Sequence, residues 1–111
     1  MNNPEQEKLE AKFHQAMLWI YEEAKRKYGY NGTIFLQMIR DRGGLAAAKM
    51  ILNDSKIKLD VFTELFMRGG QDGLKLTVEA LALDPKWKSL FTDAERRIAS
   101  KRTSQLNYKT S

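Results

Sequence analysis

Cysteine is absent from this chain of 111 residues, and histidine occurs once, at His14. The absence of cysteine excludes a disulfide framework, a thiolate nucleophile and every zinc or iron–sulfur site that depends on sulfur ligands. A metal site would have to combine His14 with distant carboxylates, so we expect neither a metal nor another cofactor. A reducing, cytoplasmic location fits this composition.

Long apolar segments are also absent. No apolar run approaches the roughly 20 residues that a membrane span requires. The first 13 residues, MNNPEQEKLEAKF, have neither the basic start nor the apolar centre of a signal peptide. We therefore expect a soluble protein that makes no contact with a membrane.

Sustained alternation of apolar and polar residues is missing, and the fold class that we predict is all-α. Short connections favour a compact orthogonal bundle of about six to seven helices, in which a long N-terminal helix packs on shorter ones. At this length we expect one domain over residues 1–111. Within it we distinguish the N-terminal helix in residues 1–29, a helical unit in residues 30–102 and a frayed tail in residues 103–111.

Residues 74–91 are apolar on nearly every side. A helix that is hydrophobic all round is a buried helix, so we predict that the other helices pack around this stretch. Thr77 is the expected N-cap, and Glu79 lies in the first turn. A short helical turn follows and carries Trp87 and Leu90, of which we expect Trp87 in the core.

The remaining helices are predicted from their caps and their apolar spacing. Asn3 starts the first helix, over residues 4–28, and Gly29 ends it. Thr92 and Glu95 form a capping box that starts the last helix. The second helix spans residues 34–42, the third spans 45–53, the fourth ends at Gly69 and the last runs to about residue 102. Their expected core residues are Ile34, Phe35, Met38, Ile39, Leu45, Met50, Ile51, Leu52, Leu59, Phe62, Leu65, Phe66, Ala94 and Ile98.

The apolar stripe of the first helix leaves two large side chains outside it. Leu18 and Trp19 project away from the stripe, beside Gln15 and Glu22. Either the C-terminal tail or another helix covers this pair, or the pair is an exposed patch for a protein partner or a second copy of the chain. We take these four residues as candidates for a protein contact. The stripe itself comprises Leu9, Phe13, Ala16, Met17, Ile20, Ala24 and Tyr28.

The net charge of +5 arises at the C-terminal end of the chain. Residues 86–111 contain seven of the 19 basic residues but only two of the 14 acidic residues. Such a surface can bind nucleic acid or an acidic partner, and it can equally be a solvated face. Without the signature of a known DNA- or RNA-reading module, nucleic-acid binding would depend on phosphate contacts and have little sequence specificity. The candidate residues, of which the last four should face mainly outward, are Lys86, Lys88, Arg96, Arg97, Lys101 and Arg102.

Three features could carry chemistry, and each has a simpler structural explanation. His14 has the position of an ordinary, partly exposed helix histidine. Glu79 lies where desolvation would favour a general base, but free N–H groups of the first helical turn, or a basic side chain of the last helix, could hold it. The glycine-rich residues 68–73 lack the Lys-Ser/Thr pair of a phosphate-binding loop, so we interpret them as a connector.

Three short motifs carry a resemblance to a known group of proteins. They are Gly43-Gly44 with Ala47-Ala48-Lys49, the sequence LTVEAL at residues 76–81, and Leu90-Phe91-Thr92 with Glu95. Through them residues 30–102 resemble a widespread group of small bacterial helical domains of unknown activity. The resemblance implies a helical fold and carries over no catalytic residue. Lys75 departs from the pattern, since the group favours an acidic residue there, and the N-terminal helix lies outside the match.

The features together favour a non-enzymatic helical interaction module that acts through protein–protein contacts. Small helical proteins without a catalytic cleft often act as adaptors, regulators or inhibitors, including inhibitors of host defence proteins that mobile elements encode. Phosphate-led nucleic-acid binding is the alternative reading, and an enzyme is the third.

Overall fold

The computed structural model describes residues 3–54 and 61–105. These residues form six α-helices and one 3₁₀ helix, with no strand among them, so the predicted all-α bundle is confirmed. The helices are α1 (Pro4–Tyr28), α2 (Thr33–Arg42), α3 (Gly44–Asn53), α4 (Val61–Leu74), α5 (Val78–Leu83), the 3₁₀ helix (Pro85–Leu90) and α6 (Asp93–Ser104).

Local signals set both ends of α1, as the sequence predicted. The Asn3 side chain accepts hydrogen bonds from the N–H groups of Glu5 and Gln6, at 3.0 and 3.3 Å. At the other end Gly29 adopts a left-handed conformation with φ of 66°, which is favourable only for a residue without a side chain. The fully buried part of the predicted stripe consists of Phe13, Met17, Ile20 and Ala24.

Helix α3 lies at the centre of the bundle and contacts α1, α2, α5 and α6. Its Ala47 and Ala48 are completely buried, and their small side chains allow neighbouring helices to approach closely. At Gly44 a β-carbon would lie 2.6 Å from the Cα atom of His14 in α1. The crossing of α1 and α3 therefore requires glycine at this position.

The other helices cover residues 74–91 from several sides, as predicted, since α3 and α6 contact α5 and α1 contacts the 3₁₀ helix. Leu74, Leu76 and Val78 are buried, and Thr77 caps α5 as expected. However, α5 has only six residues, because the chain becomes extended at Asp84. The rest of the predicted stretch continues as the 3₁₀ helix, which buries Trp87 and Leu90.

Two aromatic contacts attach the 3₁₀ helix to α1. The ring of Phe13 meets the rings of Trp87 and Phe91 edge-on, each with 5.4 Å between the ring centroids. Edge-to-face pairs of this kind add stability beyond the burial of their apolar surface. The prediction that Trp87 belongs to the core is confirmed.

Two residues predicted to face the core are exposed instead. Ile34 is 65% exposed, because α2 directs Phe35 and Ile39 inward, and these lie four residues apart. Ala94 is exposed because α6 turns a different face toward the core from the one that we predicted. The predicted core positions Leu59 and Phe62 lie outside the described side chains. The residues that α6 buries are Glu95, Ala99 and Thr103.

The interpretation of residues 68–73 as a connector is confirmed in part. They lie within the range of α4, but the helix breaks at Gly70, where φ is 57° and ψ is −137°, so two helical segments meet there. A β-carbon on Gly73 would clash with the carbonyl oxygen of Leu65, so glycine allows the chain to fold back closely after the break. The prediction that the tail frays from residue 103 is wrong at Thr103, which is buried within α6; residues 106–111 lie outside the described part of the chain.

Gly44→Ala should lower the free energy of unfolding by about 1–3 kcal/mol, the usual cost of overpacking. The added methyl group collides with the backbone of α1. In a helix, alanine is otherwise more favourable than glycine by about 1 kcal/mol. Helix propensity alone would therefore make Gly44→Ala more stable than the wild type, so a loss of stability reports the collision. Urea unfolding measures the change, with Ala46→Ser at an exposed position of α3 as the control. A stabilised Gly44→Ala variant would show that the two helices do not cross so closely.

Candidate protein contact site

A groove of about 580 Å³ lies between α1 and the 3₁₀ helix. All four residues predicted to form a protein contact, on the outer side of α1, line this groove. The 3₁₀ helix supplies the opposite wall. We call it the Trp19 groove; its lining residues are Lys12, Gln15, Ala16, Leu18, Trp19, Glu22, Lys86 and Trp87.

The two off-stripe residues of α1 have different environments. Leu18 is half-buried and packs against the core cluster, which favours the covered alternative for this residue. Trp19 is 52% exposed, and no helix of the described residues covers it. A large aromatic side chain that is half in contact with water can bury further apolar surface only against another molecule or against residues outside the described part.

The wall opposite Trp19 is formed by a buried side chain and is positively charged at its rim. Trp87 is buried and is held by its edge contact with Phe13. The Nζ atom of Lys86 lies 4.9 Å from the centroid of the Trp87 ring, within the range of a cation–π interaction. Lys86, predicted as a nucleic-acid contact, thus belongs to the groove. Lys12 and Glu22 are the charged residues on the α1 side.

Arg102 does not face outward as predicted. Its Nη1 atom donates to Glu79 Oε2 at 2.8 Å and to the carbonyl oxygen of Ile51 at 3.2 Å, and Nη2 donates to that of Leu52 at 3.4 Å. The Glu79 side chain is only 6% exposed. The arginine therefore compensates a buried carboxylate and two carbonyl groups of α3, and the expectation that a basic residue of the last helix reaches Glu79 is confirmed.

The other predicted basic residues divide into two sets. Arg96 is half-buried, and its Nε atom donates to the carbonyl oxygen of Ala82 at 3.2 Å, so its predicted outward position is wrong. Lys88, Arg97 and Lys101 are exposed and form no ion pair within residues 3–54 and 61–105. Because Arg97 and Lys101 are four residues apart on α6, they lie on the same face. The basic surface is therefore smaller than the sequence predicted.

Glu95 is a second buried carboxylate that joins α6 to α3. Its Oε1 atom accepts from Lys49 Nζ at 2.7 Å and from the N–H group of Thr92 at 2.8 Å, and Oε2 accepts from Asn53 Nδ2 at 2.7 Å. Burial raises the pKa of Glu95, but the hydrogen bonds from Lys49, Thr92 and Asn53 outweigh it and hold this pKa below its ordinary value of 4.5. The capping box with Thr92 was predicted, whereas Lys49 and Asn53 carried no sequence signal because they lie on a distant helix.

His14 has a structural partner that the sequence did not reveal. Its Nδ1 atom accepts a hydrogen bond of 2.8 Å from the N–H group of Gly44, at the start of α3. Gly43, the N-cap of that helix, has no side chain that could cap it, so His14 supplies the missing acceptor from α1. The described residues contain no group of three or more possible metal ligands.

Arg102→Ala should lower the free energy of unfolding by about 3 kcal/mol, because it leaves Glu79 buried without its partner. This is the lower end of the range for buried ion pairs, since the Arg102 side chain is 32% exposed. Arg97→Ala, on the exposed face of the same helix, should change stability by less than about 0.5 kcal/mol. Urea unfolding at pH 7 compares the two; equal effects would show that Arg102 is an ordinary surface arginine.

Glu95 should make stability depend on pH in the acidic range. Since its folded pKa is depressed, its contribution is complete above the unfolded pKa, near 4.5, and is lost as pH falls through the lower folded value. Glu95→Gln should therefore cost about 1–3 kcal/mol at pH 7 and should flatten the loss of stability below about pH 4.5. Urea unfolding from pH 7 to pH 3 measures both effects. The exposed Asp41→Asn in α2 is the control, and an unchanged acid slope in Glu95→Gln would contradict the assignment.

The comparisons with known proteins give no match, so a proposal for the function of this chain has to rest on the geometry of the site. No protein-family model, no curated protein and no solved structure matches the chain. None of the helices in the described residues combines the length and the apolar character needed to cross a membrane.

Proposed function

We propose that the protein is a non-enzymatic helical interaction module that binds a protein chain through the Trp19 groove, either a partner that it regulates or inhibits or a second copy of itself. The observation that carries the proposal is the 52% exposure of Trp19 beside a groove with a fixed wall. Tryptophan is enriched among the few residues that supply most of the binding energy of protein interfaces. The polar residues around Trp19 correspond to the polar rim of such interfaces.

The rigidity of the site supports this proposal. Trp19 lies between Met17 and Ile20, two residues of α1 that are completely or almost completely buried. The opposite wall is fixed by the contact between Phe13 and Trp87. A preformed site loses little conformational entropy on binding, so more of the contact energy appears as affinity.

Trp19 is favoured over the other exposed apolar residues by its setting. Ile34 and Met67 are more exposed, at 65% and 76%. Single exposed aliphatic side chains are common on protein surfaces and require no functional explanation. Trp19 differs because it is aromatic, lines a groove and stands among charged residues that can give a contact its specificity.

The structural roles of the candidate catalytic residues support a non-enzymatic reading. His14 accepts from the start of α3, and Glu79 is bonded to Arg102. Glu95 is surrounded by three hydrogen-bond donors. Each of these groups has a task in holding helices together. This reading agrees with the resemblance to small bacterial helical domains, which itself remains a prediction.

Phosphate-led nucleic-acid binding is the second candidate. It is favoured by the exposed pair Arg97 and Lys101 on one face of α6, with Lys88 also exposed. It is weakened because Arg96 and Arg102 are engaged with the protein's own carbonyl and carboxylate groups. Lys88, Arg97 and Lys101 form no ion pair within the described residues, and contacts from only three cations would give weak binding that falls with salt.

Trp19→Ala should abolish or strongly reduce capture of a protein partner, by about 2 kcal/mol or more in binding free energy. Its melting temperature should stay close to that of the wild type, because the indole is half exposed. Capture from a lysate of the source organism, with and without nuclease, compares the wild type with Trp19→Ala. The matched controls are Ile34→Ala and Met67→Ala, which remove more exposed apolar side chains elsewhere on the surface.

The same experiment separates the two candidate functions. Partners that survive nuclease treatment, remain bound to both controls and are lost with Trp19→Ala support the protein contact. Undiminished capture by Trp19→Ala would contradict it. Nuclease-sensitive capture that is lost when Arg97 and Lys101 are both replaced by alanine would support nucleic-acid binding instead.

A further inference from the structure

We infer that the occupant of the Trp19 groove is a second copy of this chain, with the two α1 helices packed side by side and antiparallel. This inference rests on the proposed function and names its partner. It depends on a row of six exposed residues on α1, which we call the outer stripe. The outer stripe consists of Lys8, Lys12, Gln15, Trp19, Glu22 and Arg26.

The spacing of the outer stripe suits the pairing of two helices. Its residues follow one another at intervals of four, three, four, three and four. At about 100° per residue they fall within roughly 80° of arc, on the side of α1 opposite the buried Met17. Alternating steps of three and four residues form the seam along which helices pack side by side. Trp19 is the large apolar residue at the middle of this seam.

The charges of the outer stripe make it complementary to itself when the helices run antiparallel. A twofold axis at the level of Met17 places each residue opposite the one that lies equally far on the other side of Met17. Lys12 lies five positions before Met17 and Glu22 lies five positions after it. Each Lys12 is therefore level with Glu22 of the second copy, which gives two equivalent ion pairs, as a twofold interface requires.

The same register brings Trp19 into the groove of the second copy. Gln15 and Trp19 lie two positions before and after Met17, so Trp19 is level with Gln15 of the other chain. Beside Gln15 the groove contains the small Ala16 and, on its opposite wall, Lys86. The indole of Trp19 can thus bury its exposed face against Ala16 of the second copy. Lys86 of that copy lies beside it, where its ammonium group can interact with the face of an aromatic ring. Two such insertions occur in each dimer.

Charge disfavours two other arrangements of the two helices. A parallel pair in register would place Lys12 against Lys12 and Glu22 against Glu22. An antiparallel pair centred on Trp19 would place Lys12 level with Arg26. Like charges across an interface are strongly unfavourable.

The favoured register also has two equivalent like-charge pairs, one at each end, and the structure reduces their effect. Lys8 becomes level with Arg26, nine positions from Met17. However, Arg26 already donates two hydrogen bonds to Glu23, at 2.8 and 3.0 Å, so much of its charge is compensated within its own chain. These ends are also exposed to water, where charges are screened. With 25 residues, about 37 Å, α1 is long enough to place the two ion pairs within the contact.

Charge reversal tests the arrangement. Sedimentation equilibrium of the full chain should show a monomer–dimer equilibrium. Lys12→Glu and Glu22→Lys should each weaken the dimer about tenfold or more, since each creates like-charge pairs. The double variant Lys12→Glu/Glu22→Lys should regain wild-type association because the pairs are restored with exchanged signs. An equimolar mixture of the two single variants should form a mixed dimer more readily than either variant forms its own.

The controls keep this inference separate from the proposed function. Lys101→Glu reverses an exposed charge on α6 and should leave the dimer unchanged, and circular dichroism verifies that every variant is folded. A wild type that stays monomeric at about 1 mM overturns the inference. The proposed function then survives if Trp19→Ala still loses a partner protein. A dimer that is lost with Trp19→Ala but is insensitive to Lys12→Glu and Glu22→Lys also overturns the antiparallel pairing.

Discussion

The close crossing of α1 and α3 at His14 and Gly44 is the constraint on which the rest of the structure depends. Without a side chain at Gly44 the two backbones come together, and the N–H group of Gly44 finds its acceptor in His14. The small and completely buried Ala47 continues the contact along α3. With its inner face fixed against α3, α1 cannot rotate, so Trp19 is forced to the outside. The position of the candidate site is thus a consequence of a packing contact on the opposite side of the same helix.

Buried carboxylates attach α6 to α3. They also change how the basic residues at the C-terminal end of the chain are to be interpreted. Glu79 and Glu95 would be costly to bury alone, and the cations that compensate them come from α6 and α3. Arg102 therefore has a structural task, although in the sequence it stands in the same basic region as Arg97 and Lys101. A local excess of positive charge along the chain need not become an equally large positive surface, because the fold pairs charges from distant segments.

The parts of the fold that sequence reasoning predicted are those set by neighbouring residues. The Asn3 cap and the capping box of Thr92 with Glu95 involve residues only two or three positions apart. Periodicity along one helix also separated Met17 from Trp19 correctly. The parts that were missed involve partners far apart in the chain, such as His14 with Gly44, or a rotation of a short helix, as at Ile34. In a helix of ten residues with apolar side chains on several faces, only the neighbours decide which face is buried.

The candidate site shows the same division between local and distant determinants. The α1 side of the Trp19 groove could be predicted, because helix geometry alone places its residues together. The other wall could not be predicted, since it brings Lys86 next to residues about 70 positions earlier in the chain. Phe13 joins the two halves, because its ring lies inside the core and fixes Trp87 at a set distance from α1. A buried aromatic contact therefore determines the width of the groove. Phe13 thus affects both the packing of the core and the ability of the groove to bind a partner.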